Sequence, residues 1–230
     1  MEPIKKIKIT YFNRKPLPIG NFSIEIFFNL LQDKLSNEFI IENKEMPFYS
    51  KGLLRRFLNI IYVYINRGDI NHITGDIYYV SAFLKPSNTI ITFLDCVLLK
   101  RYKGIKLKII KLFWYYIPSK RSNYITAISK ATKDDLYQLP YFMKKNIDVI
   151  YIAVNSIFKK SPKPFNQDSH KILQLGTAEN KNIGRLIQAI SGVRCKIVIV
   201  GKLSSNLREK LISKKVDFTS IEHRLTDSEI

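Results

Sequence analysis

The chain has 230 residues, of which 46% are hydrophobic, 12% aromatic and 25% charged, and its formal net charge is +19. This composition is typical of a globular protein and argues against an intrinsically disordered one. The two cysteines, Cys96 and Cys195, lie far apart in the sequence, which argues against a disulfide framework or a thiolate metal site and favours a reducing cytoplasm.

Strand and helix patterns alternate along the first part of the chain. Short apolar runs predict strands at residues 7–12, 39–42, 69–73, 89–93, 124–127 and 148–151. Apolar residues at helical spacing predict helices at residues 22–35, 51–66, 77–84, 105–116 and 130–139. This alternation indicates an α/β fold with a parallel sheet that helices cover on both faces.

A polar segment, SPKPFNQDSH, interrupts the alternation. It holds two prolines and lacks hydrophobic periodicity, as linkers do. The alternation restarts at Lys171. We therefore predict a Rossmann-like N-terminal domain over residues 1–160, a linker over residues 161–170, and a partial, Rossmann-like C-terminal domain over residues 171–230.

The restarted pattern, KILQLGTAENKNIGRLIQAISGVRCKIVIVG, consists of a strand, a glycine-bearing turn, a helix and a second strand. Backbone N–H groups and the positive end of the helix dipole favour an anion at such a turn. We predict that Gly176, Thr177 and Lys181 contact phosphate, with Lys181 as a mobile positive charge. The sequence contains no GxGxxG or GxxxxGK[ST] pattern, so neither a dinucleotide site nor a P-loop is supported.

The LGTAENKN turn resembles a phosphate-contacting segment of the family 4 glycosyltransferases. Five further segments resemble segments of the family's sequences and occur in the same order along the chain. They are NFSIEIFFNLL, HITGD, TIITFLDC, ITAISKATKDDL and IDVIYIAVNSIF. The resemblance implies a two-domain GT-B fold. It also implies a retaining enzyme that moves a sugar from a nucleotide-diphosphate donor to a hydroxyl of a glycan or lipid-linked acceptor.

The same resemblance implies roles for particular residues. The donor phosphates would be bound in the C-terminal half and by the glycine loop after the first strand, that is, by Gly20, Gly176, Thr177 and Lys181. The acceptor would face the N-terminal domain near Gly75, Asp76 and Ser129. Family members carry a glutamate-rich donor site further along, so we expect this chain to be a C-terminally truncated fragment or a degenerate relative.

His72 and Asp95 are the candidate catalytic residues, at the ends of two successive predicted strands. The family commonly has a histidine before this aspartate, and that histidine contacts the donor sugar. Here Leu94 takes its place, so the contact is lost unless His72 supplies it. Structural roles stay open for each candidate: packing for His72, a strand-end cap for Asp95 and a helix N-cap for Ser129.

Positive charge is concentrated between Asp95 and Asp134, where ten residues are basic and none is acidic. Within this interval, helical spacing places five apolar residues in one row on the same face, and they are Ile105, Ile109, Leu112, Phe113 and Tyr116. The row predicts an amphipathic helix suited to an anionic membrane surface. The alternative is a solvated basic face over an ordinary core.

The remaining patterns limit cofactors and partners. The three histidines are far apart and no HExxH motif is present, so we expect no metal, and no cofactor beyond the nucleotide-sugar substrate. The N-terminus shows no signal peptide, and the apolar run at residues 57–65 is too short to span a bilayer. We expect a cytoplasmic protein, with peripheral association at the inner face of the membrane as an option.

Two other functions stay open at this point. One is a non-catalytic glycosyltransferase-like subunit that needs a partner chain. The other is a nucleic-acid-binding protein, for which the net charge of +19 and the many aromatic residues would supply phosphate contacts and stacking. No recognised nucleic-acid motif supports the second, and we expect no nucleic-acid partner.

Overall fold

Two parallel sheets organise the chain in the computed structural model, which describes residues 6–16, 23–153, 159, 162, 170–223 and 225, with only the backbone for 23–26. The chain divides into two units, Met1–Val154 and Asn155–Ile230. Each unit contains one sheet. The predicted α/β class with parallel sheets is confirmed.

The sheet of the first unit has six strands in the order β2-β1-β3-β4-β5-β6, and every neighbouring pair is parallel. The strands are β1 Lys8–Asn13, β2 Ile40–Glu45, β3 Ile70–Ile73, β4 Thr89–Phe93, β5 Tyr124–Ala127 and β6 Ile147–Val149. The strand order reverses between β1 and β3. In open α/β sheets this switch point, at the carboxyl ends of the strands, is where ligands bind.

Helical segments connect these strands. They are α1 Ser23–Leu35, α2 Leu53–Ile65, the 3-10 helices Tyr78–Phe83 and Pro86–Asn88, α3 Val97–Arg101, α4 Gly104–Ile110, a π-helical segment Lys111–Tyr116, α5 Ile117–Arg121 and α6 Lys130–Tyr137. Backbone angles stay helical at both junctions between α4, the π-helical segment and α5, so the three segments form one continuous helix.

Two of the predicted helices differ in type from the observed ones. The segment predicted as a helix at residues 77–84 contains a 3-10 helix, Tyr78–Phe83, in which Tyr78, Tyr79 and Val80 are all buried. Because most of these side chains are buried, their packing determines the geometry of the backbone. The segment therefore does not need the α-helical spacing that separates an apolar side from a polar one. The helix predicted at residues 105–116 is longer and becomes π-helical before Pro118, a residue that has no N–H to donate to the preceding turn.

Both faces of the first sheet are covered. On one face, Phe93 is fully buried, with its ring centroid 4.3 Å from that of Tyr78 and 5.4 Å from that of Phe142. On the other face, Tyr11 packs against Phe28 of α1. Burial on two sides explains why the strands consist largely of apolar residues.

The second unit contains a sheet of three parallel strands in the order β7-β8-β9. Its elements are β7 His170–Leu175, a 3-10 turn Glu179–Lys181, α7 Ile183–Ala189, β8 Cys195–Val200, α8 Ser205–Ser213 and β9 Asp217–Ile221. The core joins the two helices to the sheet through Ile187, Ile197, Ile199 and Leu211, all fully buried.

Candidate functional site

Polar side chains form a chain of hydrogen bonds at the switch point of the first sheet. Thr74, directly after β3, donates from its hydroxyl to the carbonyl of Phe12 at 3.2 Å and also contacts Asn13 Oδ1. The Asn13 amide donates to Asn43 Oδ1 at 3.1 Å, and the Asn43 amide donates to Gln32 Oε1 on α1. These bonds tie the ends of three strands to one helix.

Gln32 is the unusual member of this chain. Its side chain is 4% exposed, and its buried Nε2 atom has no hydrogen-bond partner among the described residues. An unmet buried donor costs about 1–3 kcal/mol, so such a group calls for an explanation. Sequence analysis missed Gln32, whose position among apolar helix residues was the available signal.

Gly75 and Asp76 follow Thr74 at the same switch point. Gly75 is buried, and a Cβ atom there would lie 3.5 Å from both the backbone nitrogen and the Cβ of Arg14, just after β1. The Asp76 side chain is exposed, while its carbonyl accepts a 2.7 Å hydrogen bond from Trp114 Nε1. The structure therefore brings these two predicted acceptor-side residues beside Arg14.

His72 lies inside the sheet. Its Nε2 atom is 2.7 Å from Thr92 Oγ1, and its ring centroid lies 5.0 Å from that of Tyr11 and 5.4 Å from that of Phe28. Burial lowers the pKa of His72 from 6.5 to about 3, because the charged imidazolium would lose its solvation. These contacts give His72 the packing role that sequence analysis weighed against a catalytic one.

Asp95 and Ser129 both accept backbone hydrogen bonds at the starts of helices. The Asp95 carboxylate is exposed and accepts from the Val97 backbone N–H at 3.0 Å, at the start of α3. The N-cap predicted for Ser129 is confirmed, since its hydroxyl accepts from the Thr132 N–H at 3.1 Å at the start of α6. Leu94, in the family's histidine position, accepts a 3.2 Å bond from the Thr132 hydroxyl through its carbonyl.

In the second unit, two glycine loops meet at the carboxyl ends of β7 and β8. Gly176 has φ +85° and donates its N–H to the Val200 carbonyl at 2.8 Å, and Thr177 donates its hydroxyl to the Lys202 carbonyl at 2.7 Å. A Cβ atom on Gly201 would lie only 3.4 Å from Thr177 Cγ2. The small residues thus let the two loops approach closely.

Lys181 lies against the first of these loops. It ends the 3-10 turn Glu179–Lys181, and Asn182, in a left-handed conformation, separates it from α7. A Cβ atom on Gly176 would lie 3.4 Å from both Cγ and Cε of Lys181. The structure therefore brings Gly176, Thr177 and Lys181 together. Within the described part of the chain, no salt bridge involves Lys181, so its charge is free to meet an anion.

Other features of the chain bear on the site only indirectly. A cavity of about 330 Å³ lies at the amino ends of the second sheet, lined by residues including His170, Arg194, Lys196 and Lys215, away from the carboxyl ends where Lys181 lies. The described residues contain no group of three or more metal-ligating side chains and no helix suited to crossing a membrane. Gly20 and nearly all of the predicted linker fall outside the described residues.

Solved structures of one protein are similar to this chain along nearly its whole length. HepE (Alr3699) of Anabaena, crystallised with UDP and glucose, aligns with 95% of this chain and 70% of its own, at a TM-score of 0.61 and 13% identity. Its complex with UDP aligns with 93% and 69%, at the same TM-score and identity. This similarity establishes a GT-B-like fold of two Rossmann-like units. No family model and no curated protein matches the chain.

Proposed function

We propose that this protein is a glycosyltransferase that transfers a sugar from a nucleotide-diphosphate donor to a hydroxyl of a glycan or a lipid-linked acceptor. The observation that carries the proposal is the similarity in fold, over 95% of the chain, to a protein that binds UDP and glucose. Fold alone is compatible with many functions. The arrangement at the carboxyl ends of both sheets adds independent support.

The donor diphosphate would bind in the second unit. Gly176 and Gly201 keep the loop surface free of side chains, and the Lys181 ammonium is available beside Gly176. Sugar transfer develops negative charge on the departing diphosphate, and a fixed cation at that point stabilises the transition state more than the ground state. In this scheme, the role of Lys181 is electrostatic, and proton transfer is not required of it.

The acceptor would bind in the first unit at the switch point. Gly75 leaves room beside Arg14, and the unmet Nε2 donor of Gln32 suits a sugar or phosphate oxygen. Asp76 is exposed next to them. Ser129, which caps α6, would act through the position of that helix.

The finer assignments form part of the same proposal. They are membership of family 4, transfer with retention, and peripheral association with an anionic membrane. The chemistry needs neither a metal nor a further cofactor, since Lys181 and the loop backbone supply the electrostatic stabilisation. Because His72 is buried and bonded to Thr92, it is not part of the catalytic scheme.

Calorimetric titration with UDP tests the donor site. We expect Lys181→Met to weaken UDP binding about tenfold or more, since a charge-assisted hydrogen bond contributes roughly 1.5–3 kcal/mol. Lys171→Met is the matched control, because Lys171 is an exposed lysine at the other end of β7. Equal affinities for the two variants would contradict the donor assignment. Absence of UDP binding by the wild-type chain at millimolar concentration would contradict the proposed function.

A further inference from the structure

Helix α2 is apolar on its outer side. Its inward side carries the buried residues Asn59, Ile60 and Val63. The opposite side carries an apolar stripe at spacings of four, three and four residues, formed by Leu54, Leu58, Ile61 and Ile65. Leu54 and Ile65, near its two ends, are 71% and 70% exposed. We call these four residues the α2 stripe. A surface helix in a water-soluble domain normally has polar residues on its outer side.

The orientation of α2 is fixed by hydrogen bonds on its inner side. The Asn59 amide donates to the Phe48 carbonyl at 2.9 Å and to the Tyr79 hydroxyl at 3.0 Å, and Asn59 Oδ1 accepts from the Phe48 N–H at 3.2 Å. Turning the stripe inward would break all three bonds. The outward stripe is therefore a built feature of the fold.

A second exposed apolar row lies on a neighbouring element. Ile105 is 73% exposed, and Ile109, Leu112 and Tyr116 are each 43% exposed. These are four of the five residues that sequence analysis grouped on one helical face, and they point to solvent. The two elements touch, since the guanidinium carbon of Arg56 on α2 lies 5.0 Å from the ring centroid of the buried Trp114.

The two sequence segments that carry the rows have charges of a single sign. Residues 46–68, which include α2, contain Lys51, Arg55, Arg56 and Arg67 and no acidic residue. The interval around the second row also lacks acidic residues. Helices that pair with another protein through an apolar stripe usually carry charges of both signs beside it. Apolar rows on segments whose charges are all cationic fit an anionic bilayer, where lysine and arginine stems extend to the headgroups.

We propose that the α2 stripe inserts into the headgroup region of an anionic lipid bilayer and so holds the first unit on the membrane surface. The surrounding cations support the same contact, and the second row adds exposed apolar surface on the same unit. This inference names the residues that would bind the membrane in the proposed function. It rests on the proposed function only for the reason why the protein would bind a membrane. Lipid binding needs neither donor nor acceptor, so it is measured separately from sugar transfer.

Sedimentation with vesicles tests the proposal. The wild-type chain is mixed with vesicles of phosphatidylcholine alone, or of equal parts phosphatidylcholine and phosphatidylglycerol, without nucleotide. We expect binding to the anionic vesicles that weakens as salt is raised. The double variant Leu54→Gln/Ile65→Gln keeps the charge and helix propensity of α2, and we expect its partition coefficient to be at least about tenfold lower.

A matched variant separates the stripe from general surface hydrophobicity. Met143→Gln/Ile212→Gln removes two side chains of similar exposure, 69% and 63%, elsewhere on the chain. We expect it to bind like the wild type. Equal loss in both variants, or unchanged binding in the α2 variant, would overturn the proposal. Equal binding to neutral and anionic vesicles would also overturn it. So would a wild type that forms dimers and does not bind vesicles, together with an α2 variant that is monomeric.

Discussion

Protonation of His72 should make the first unit sensitive to mild acid. The pKa of His72 is about 3 in the folded protein because of burial, against 6.5 in an exposed chain. A depressed pKa means that the unfolded state takes up a proton first as the pH falls. The stability contributed by neutral His72 is therefore complete above pH 6.5 and is lost progressively as the pH falls towards 3.

The size of the effect follows from the two pKa values. At pH 5 the histidine is almost fully protonated in the unfolded chain and neutral in the folded one. This pH lies about 1.5 units below the unfolded-state pKa of 6.5, and the proton taken up on unfolding costs stability over that interval. At about 1.36 kcal/mol for each unit, the free energy of unfolding falls by about 2 kcal/mol between pH 7 and pH 5 from this one side chain. His72→Gln keeps a donor that can reach Thr92 but does not titrate.

Urea unfolding followed by tryptophan fluorescence measures this loss. The chain has a single tryptophan, Trp114, which is buried in the first unit. We expect the wild type to lose about 2 kcal/mol more than His72→Gln between pH 7 and pH 5. His223→Gln, a change in the second unit, should leave this difference unaltered. Equal losses in the wild type and His72→Gln would refute the assignment of His72 as a buried neutral group.

Two substitutions test the backbone geometry. Gly68→Ala should destabilise the first unit by about 2 kcal/mol. The new Cβ would lie 2.6 Å from Thr10 Oγ1 and 2.9 Å from the Lys8 carbonyl oxygen. Unchanged urea unfolding, followed by Trp114 fluorescence, would contradict this contact. Lys215→Gly should stabilise the second unit by about 0.5–1 kcal/mol, because Lys215 holds φ 51° at the end of α8, a strain that glycine avoids. Slower amide exchange in β8 would reveal that gain, and faster exchange would contradict it.

The alternation of apolar runs and helical spacing was sufficient to predict the fold class. Parallel strands buried on both faces are rich in apolar and β-branched residues, so β4, with the sequence TIITF, was recognisable from composition alone. The restart after the proline-bearing segment likewise identified β7, α7 and β8. The closeness of Gly176, Thr177 and Lys181 was also predictable, because a turn between a strand and a helix keeps its residues close in space. Their contact with phosphate stays a prediction.

Side-chain environment was decided by contacts between residues distant in the sequence. His72 lies in a predicted strand whose end was expected to face a ligand, but only the packing of Tyr11 and Phe28 around it determines its burial and pKa. Gln32 became part of the site because β1, β2 and β3 bring Asn13 and Asn43 beside α1. No local pattern encodes such a convergence.

The orientation of amphipathic segments also required the tertiary structure. The sequence by itself predicted a helix rich in apolar side chains at residues 51–66, and the observed helix is Leu53–Ile65, since spacing and propensity are local properties. Which side of that helix faces water depends on its partners. The hydrogen bonds of Asn59 to Phe48 and Tyr79 hold the side that carries Asn59, Ile60 and Val63 inward. Leu54 and Ile65 consequently face outward, because a rigid helix can satisfy a buried amide only by exposing the side opposite to it.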